Sequence, residues 1–304
     1  MAFRLSTDYQ PYLDCLINTR TGEAFELNEE AQLILSQIRE GGEPSSSRMF
    51  RLMIGRGILF NPIFERTKPS FYLQWHLLSG CNLQCTHCYD WKEKAQSLSL
   101  KQMFKVVDDF IFFCKQLSVQ PAISLTGGEP LLFSDLVKLI DYIKSRDLFV
   151  CLGILTNGTL ISEELVSVFK QYDIEVQVSL DGLQPIHDAI RGDGTFVKAL
   201  SALGLLKSSD IRRKVHCVLM KRNIASLKEF IYELDRHDVS SITFSTLVPI
   251  GPGEKEEMAS PEELKDAFTM MTDIQPIVNT SIIGSRPLWA LVGAKGACPI
   301  AHSV

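Results

Sequence analysis

From residue 71 onward the chain alternates between short apolar runs and longer stretches of helical period, six times over. The strand candidates are residues 72–78, 122–125, 149–155, 175–180, 214–220 and 242–248. Helix candidates lie between them at about 100–117, 134–146, 162–171, 195–208 and 224–236. Ser99, Ser134 and Ser162 stand where three of these helices need N-caps. Strands each followed by a helix predict parallel βα units with right-handed crossovers. Six such units suit a partial (β/α)6 TIM-like barrel, open on one side, better than a closed eight-strand barrel. Ser260-Pro261-Glu262-Glu263 marks a further helix start, with a capping box and a proline in the first turn.

Residues 1–66 read as a separate, small, winged-helix-like α+β unit. A strand over 12–17, a turn over 18–22 ending in Gly22 and a return strand over 23–27 form a hairpin. Asn28 then caps a helix that runs to about Ile38 and ends at Gly41-Gly42. Ser45-Ser46-Ser47 starts a second helix, and 57–60 reads as a strand. The expected division is 1–66, 67–280 for the barrel core, and 281–304 for the start of a C-terminal extension.

Within this frame the run Cys81-Asn82-Leu83-Gln84-Cys85-Thr86-His87-Cys88 follows the first strand directly. Its spacing is C-x3-C-x2-C. Three thiolates on one loop can hold three irons of a cubic 4Fe–4S cluster, which ordinarily takes four. The fourth iron is then open to another ligand, and an open iron implies chemistry as well as electron storage. Half a zinc knuckle is the competing reading of Cys85 and Cys88. No second Cys or His pair follows at zinc spacing.

The other polar motifs fall at successive strand ends, the rim where parallel βα folds bind ligands. Thr126-Gly127-Gly128-Glu129-Pro130 ends the second strand. Its glycines permit close backbone approach to a ligand, and Glu129 offers an acceptor to a cationic amine. Thr156-Asn157-Gly158 ends the third strand; Ser179-Leu180-Asp181-Gly182 ends the fourth, followed by His187-Asp188 and Arg191-Gly192. Each motif alone reads as a turn. Together, in order on consecutive strands, they read as a site. His76, inside the first strand, reads as a packed core histidine.

In these motifs, over about residues 71–250, the chain resembles a radical S-adenosylmethionine enzyme. The resemblance implies that Cys81, Cys85 and Cys88 ligate a 4Fe–4S cluster whose open iron takes S-adenosyl-L-methionine. It implies that Gly127, Gly128 and Glu129 form the amine-binding segment, and that Ser179 and Arg191 hold the ribose and the methionine carboxylate. Asn157 and Asp181 join the same cofactor-binding set. His87 takes the place of a usually aromatic residue near the adenine. The implied chemistry is one-electron cleavage of the sulfonium to a 5′-deoxyadenosyl radical that abstracts a substrate hydrogen, with the electron drawn from an external flavodoxin- or ferredoxin-type reductant.

Leu16 to Glu23 and Phe25 to Glu29 resemble the small PqqD-like peptide-recognition domain. That resemblance implies binding of the leader of a ribosomally made precursor peptide by strand addition. The two likenesses together imply a peptide maturase of the SPASM branch, which carries C-terminal cysteines for auxiliary clusters. Gly293 to Pro299, with Cys298, looks like the start of such an extension, and the sequence ends at Val304, so a truncated extension is expected, the alternative being an enzyme that works without auxiliary clusters. Two alternatives stay open: a maturase oxidising a Cys or Ser in a protein substrate, as sulfatase-activating relatives do, and a catalytically incomplete peptide-binding partner.

Composition limits the rest. A net charge of −5 gives no broad pull on nucleic acid or anionic membrane, and no apolar run reaches the roughly 20 residues of a membrane span. The first residues contain no signal-peptide pattern. Cys15, Cys114, Cys151, Cys217 and Cys298 are scattered among apolar residues and read as reduced, buried thiols, so a cytoplasmic location is expected.

Overall fold

The computed structural model describes residues 4–6, 8–12, 14–19, 22–40, 48–55, 58–60, 69–88, 97–147, 150–249 and 257–284. Cys298, residues 285–304 and the expected helix start at Ser45 to Ser47 lie outside the described residues. The chain divides into two compact units, Met1–Pro69 and Ser70–Val304.

The first unit holds β1 (Arg4–Leu5), β2 (Tyr9–Tyr12), β3 (Cys15–Asn18), β4 (Ala24–Glu26), α1 (Glu29–Arg39), α2 (Arg48–Gly55) and β5 (Leu59–Phe60). β2, β3 and β4 form an antiparallel sheet in that order, and β1 pairs with β5. The strand expected over 12–17 is two strands: Tyr12 ends β2 and pairs with Cys15, which opens β3. The turn between them carries Asp14, a residue that favours turns over strands. Asn28 caps α1 as expected, its side chain accepting from the Ala31 N–H at 2.9 Å. Leu16, Ala31, Ile34, Leu35, Met53 and Leu59 are buried in the unit.

The second unit is a parallel sheet of seven strands in sequence order. They are β6 (Ser70–His76), β7 (Gln120–Thr126), β8 (Cys151–Thr156), β9 (Glu175–Ser179), β10 (Arg213–Leu219), β11 (Ser241–Thr246) and β12 (Ser281–Gly284). β6 and β12 are its two edges among the described residues, so the sheet is open. The seventh strand exceeds the six expected. It is only four residues long, and it follows the helix whose start at Ser260 was legible.

The helices are α3 (Leu100–Gln116), α4 (Leu136–Arg146), α5 (Glu163–Gln171), α6 (Gln184–Arg191), α7 (Thr195–Ser208), α8 (Lys221–Ile224), α9 (Leu227–Arg236) and α10 (Pro261–Ile274). Ser99 and Ser162 cap α3 and α5; Ser99 and Ser260 each complete a capping box. Ser134 is not the cap of α4: Asp135 holds that position and makes no side-chain cap bond. α6 was not expected, because Pro185, His187 and Asp188 obscure its period.

The two faces of the sheet differ. Ile123, Leu125, Leu152, Ile154, Val176, Val178, Val215, Cys217, Ile242 and Phe244 are buried in one apolar core with the helices. The alternate residues turn to the other face, which is largely polar; it is buried along β7 and half-buried to exposed along β6, β8, β9 and β10. Parallel sheets normally cover both faces. One left open forms a trough. His76 lies on that side of β6 and is exposed, so it is no core histidine. Cys114 and Cys217 are buried as expected; Cys15 is half-buried, and Cys151, opening β8, is exposed.

Candidate active site

A cavity of about 1050 Å³ opens at the C-terminal ends of β6 to β11. Its rim is the loop after β6, with Cys81, Cys85, His87 and Cys88; its walls include Gly127, Gly128, Asn157, Ser179 and Arg191. Of the residues that the resemblance assigns to the cluster or the cofactor, all but two line this one cavity. The exceptions, Glu129 and Asp181, are fully buried and lie behind the wall.

The loop is held against β7 by backbone alone. The Gly128 N–H donates to the Leu78 carbonyl at 2.8 Å, and the Glu129 N–H to the Gly80 carbonyl at 2.9 Å. A Cβ on Gly128 would stand 2.2 Å from the Gly80 oxygen, and one on Gly127, whose φ is +147°, 2.4 Å from the Leu78 oxygen. The two glycines are therefore required by the cysteine loop itself. The Gly128 and Glu129 N–H groups are thus engaged by the loop, while both glycines still line the cavity.

Glu129 braces the next strand end. Its carboxylate accepts from the Thr156 hydroxyl at 2.6 Å, the Asn157 N–H at 2.8 Å and the Leu131 N–H at 3.1 Å. Burial raises its pKa, against the pull of those three hydrogen bonds. With three donors engaged it braces the end of β8, and it is not among the residues lining the cavity. Asn157, positioned by it, donates to Asn82 Oδ1 at 2.9 Å and reaches Cys81 Sγ at 4.0 Å. The cysteine loop is thereby tied to β8 as well.

Asp181 plays the corresponding part just past the end of β9. It accepts from Arg191 Nε at 2.6 Å and from the Val218 N–H at 2.9 Å, and lies 3.7 Å from His87 Nε2. Burial opposes its charge, but Arg191 foremost, with His87 and the Val218 amide, holds it down at about 2. Its own carbonyl accepts from Asn223 Nδ2 at 2.9 Å, and its N–H donates to His187 Nδ1 at 3.1 Å. Arg191, ending α6, then points Nη1 at Cys85 Sγ, 3.9 Å away. Asp188 caps the following helix by accepting from the Phe196 N–H at 2.9 Å. The His-Asp pair of the motif is thus structural.

The three thiols suit an iron–sulfur cube. Each lines the same cavity. N–H donors from Leu83, Asn157 and Arg191 stand near Cys81 and Cys85, where they favour thiolate sulfur. Burial pushes the Cys85 thiol up to about 11 against the pull of Arg191. Among the described residues no three Cys, His, Asp or Glu converge on one point as a single metal ion requires. A cube needs no such convergence, since it spreads its thiolates over separate corners. The Nδ1 of His87 is buried without a hydrogen-bond partner among the described residues, a polar atom left for something in the cavity.

Sequence reasoning passed over Gln74, His216, Arg222, Ser245 and Glu257, which also line the cavity. Arg222 and Glu257 form a two-bond ion pair at 2.6 and 2.7 Å. The alternation of β10 and β11 could have placed His216 and Ser245 on the open face. No motif marks them.

By sequence the chain is 32% identical over 190 residues to the mycofactocin maturase MftC of Mycobacterium tuberculosis, covering 60% of this chain and 46% of that protein. It is 30% identical over 206 residues to the Fe-coproporphyrin III synthase of Methanosarcina barkeri, covering 66% and 50%. The chain thus spans about half the length of these curated relatives. Its fold is shared with SuiB of Streptococcus suis bound to S-adenosylmethionine, at a TM-score of 0.64 and 16% identity over 97% of this chain and 76% of that one. It is shared also with anSMEcpe bound to AdoMet and the Kp18Cys peptide, at 0.60 and 23% over 70% and 64%. The model of the Radical SAM superfamily matches residues 75–234, from within β6 to within α9. Those residues are more than half of the chain and carry every cysteine and strand-end motif of the rim, so this chain belongs to the radical SAM superfamily.

Proposed function

We propose that this chain is a peptide-modifying radical S-adenosylmethionine enzyme. In this reading Cys81, Cys85 and Cys88 hold a 4Fe–4S cluster, and S-adenosylmethionine lies between it and the walls formed by Gly127, Gly128, Asn157, Ser179 and Arg191. The bound pair supplies a carbon radical by one-electron cleavage of the sulfonium. The observation that carries the reading is the cavity itself, where the three thiols and those strand ends face one space.

The chain's own residues position and shield. Asp181 neutralises Arg191 from behind, leaving its outer nitrogens toward the cysteine loop. Glu129 and Asn157 fix the loop against β8. His87 offers a flat ring beside Arg191, at 3.5 Å from Nη2, on which an adenine can stack. Glu129 and Asp181 then act through Asn157 and Arg191, and touch no cofactor directly.

The peptide part of the proposal draws on two supports. One relative is named a maturase, and a fold neighbour was solved with its precursor peptide, SuiA. The first unit supplies a small antiparallel sheet whose outer strands, β2 and β4, each pair on one side only among the described residues. A leader peptide can add there as a further strand. The relatives also include a porphyrin synthase, so the substrate is the point to test.

Anaerobic reconstitution followed by chemical reduction tests the first part. The expected result is about four irons per chain and release of 5′-deoxyadenosine; unchanged release after Cys88→Ala refutes it. For the second part, a short peptide encoded beside the gene is offered to the full chain. Mass spectrometry should show a loss of hydrogen or a new crosslink in that peptide, whereas modification of coproporphyrin instead would overturn the peptide reading.

A further inference from the structure

His216 and Ser245 stand outside every motif, yet both line the cavity. His216 lies on β10 in register with Ser179 of β9, so their side chains are neighbours on the open face at the ordinary strand spacing of about 4.8 Å. Ser245 on β11 meets His216 Nε2 through its hydroxyl at 3.0 Å. Ser179, His216 and Ser245 form a polar strip across three adjacent strands.

Position around the sheet sets the pair apart from the cofactor's wall. The cysteine loop follows β6, Gly127 and Gly128 follow β7, Asn157 follows β8, and Ser179 ends β9. His216 and Ser245 lie on β10 and β11, the next two strands, and line the same cavity. His216 is level with Ser179, so the pair continues that wall sideways. A cofactor held by the cysteine loop, Asn157 and Arg191 occupies the side of β6 to β9. The side of β10 and β11 has no assigned occupant.

Resting on the function proposed above, we infer that the His216–Ser245 pair seats the substrate: the group that loses its hydrogen lies against His216, whose ring Ser245 holds in place. The radical carbon must then open toward these two side chains. Either one, replaced by a thiol, becomes the hydrogen donor. The carbon radical takes the hydrogen atom from S–H; one C–H bond forms, one S–H bond breaks, and the unpaired electron stays on the protein sulfur.

This needs no substrate to test. The reconstituted full chain, its His216→Cys variant and its Ser245→Cys variant are each given S-adenosylmethionine and dithionite in D2O, where thiols exchange to S–D. The expected product from either variant is 5′-deoxyadenosine heavier by one deuteron, while the wild type, with all its own thiols, gives background label. Unlabelled product from both variants overturns the inference. So does loss of S-adenosylmethionine binding in both variants by equilibrium dialysis, since that places the pair in the cofactor's own seat. If His216→Cys cannot be loaded, Ser245→Cys carries the test alone. Absence of 5′-deoxyadenosine from the wild type is a separate result, and it overturns the radical reading itself.

Discussion

Gly128→Ala should dislodge the cysteine loop. The new Cβ would stand 2.2 Å from the Gly80 oxygen, 2.5 Å from the Gly80 carbonyl carbon and 2.7 Å from the Ser79 oxygen. All three are backbone atoms, so no side chain can swing aside. Ordinary contact needs about 3.5 Å, so the loop must retreat by roughly 1 Å. That breaks the Gly128–Leu78 and Glu129–Gly80 hydrogen bonds, at about 1 kcal/mol each. Overpacking adds about 1–3 kcal/mol, for a total near 3–5 kcal/mol if the loop stays in place. The loop can avoid most of this by moving, so the larger effect falls on the metal. Iron content after anaerobic reconstitution should drop sharply, with a modest fall in the urea midpoint. Gly194→Ala is the control: its φ is +74° but nothing lies within 4 Å of the added carbon. It should cost only about 1–2 kcal/mol of left-handed strain and retain full iron. A Gly128→Ala protein that binds iron like the wild type would refute the packing argument.

The remaining predictions concern the braces behind the wall and the first unit. Asp181→Ala leaves Arg191 buried without its partner and should cost about 3–5 kcal/mol in urea unfolding. Asp181 sits at about 2 in the fold, below its ordinary 3.8. Its stabilising effect is therefore complete above the unfolded value and is lost as pH falls from about 4 toward 2. The difference in urea midpoint between wild type and Asp181→Asn should narrow over that interval, and a gap that widens on acidification contradicts the assignment. Thr156→Val removes the donor to Glu129 and the acceptor of the Gly158 N–H, and should lower thermal stability by about 1–3 kcal/mol. Asn28→Ala should cost about 1 kcal/mol locally, seen as faster amide exchange in the first turn of α1, with reductive cleavage of the cofactor unchanged.

What could be read from the sequence followed from short-range rules. The βα alternation, the caps at Ser99, Ser162 and Ser260, and the cysteine spacing are all local patterns, and the structure places them as expected. The misses have longer-range causes. Ser134 and Asp135 are equally good capping types, and the sequence does not choose between them. β12 is a four-residue strand whose pairing with β11 supplies the order. Gly127 and Gly128 look from sequence like a ligand cradle, but the atoms crowding them come from a loop some fifty residues earlier. Glu129 and Asp181 stood out as polar residues at strand ends; that their carboxylates are buried outside the cavity's lining depends on donors from β8, α6 and β10. His216 and Ser245 carry no signal until two strands are laid side by side.

The buried Asp181 has a consequence for how this sequence can change. Its carboxylate, carbonyl and amide are engaged at once by Arg191, Val218, Asn223 and His187. Side chains that share one hub do not contribute independently, and interaction energies within such a set run to about 0.5–3 kcal/mol. Replacements at positions 187, 191 and 223 should therefore be strongly contingent on one another: a second change here depends on which came first. A lineage can trade these residues as a block or keep them all, while the apolar face of the same strands drifts one side chain at a time.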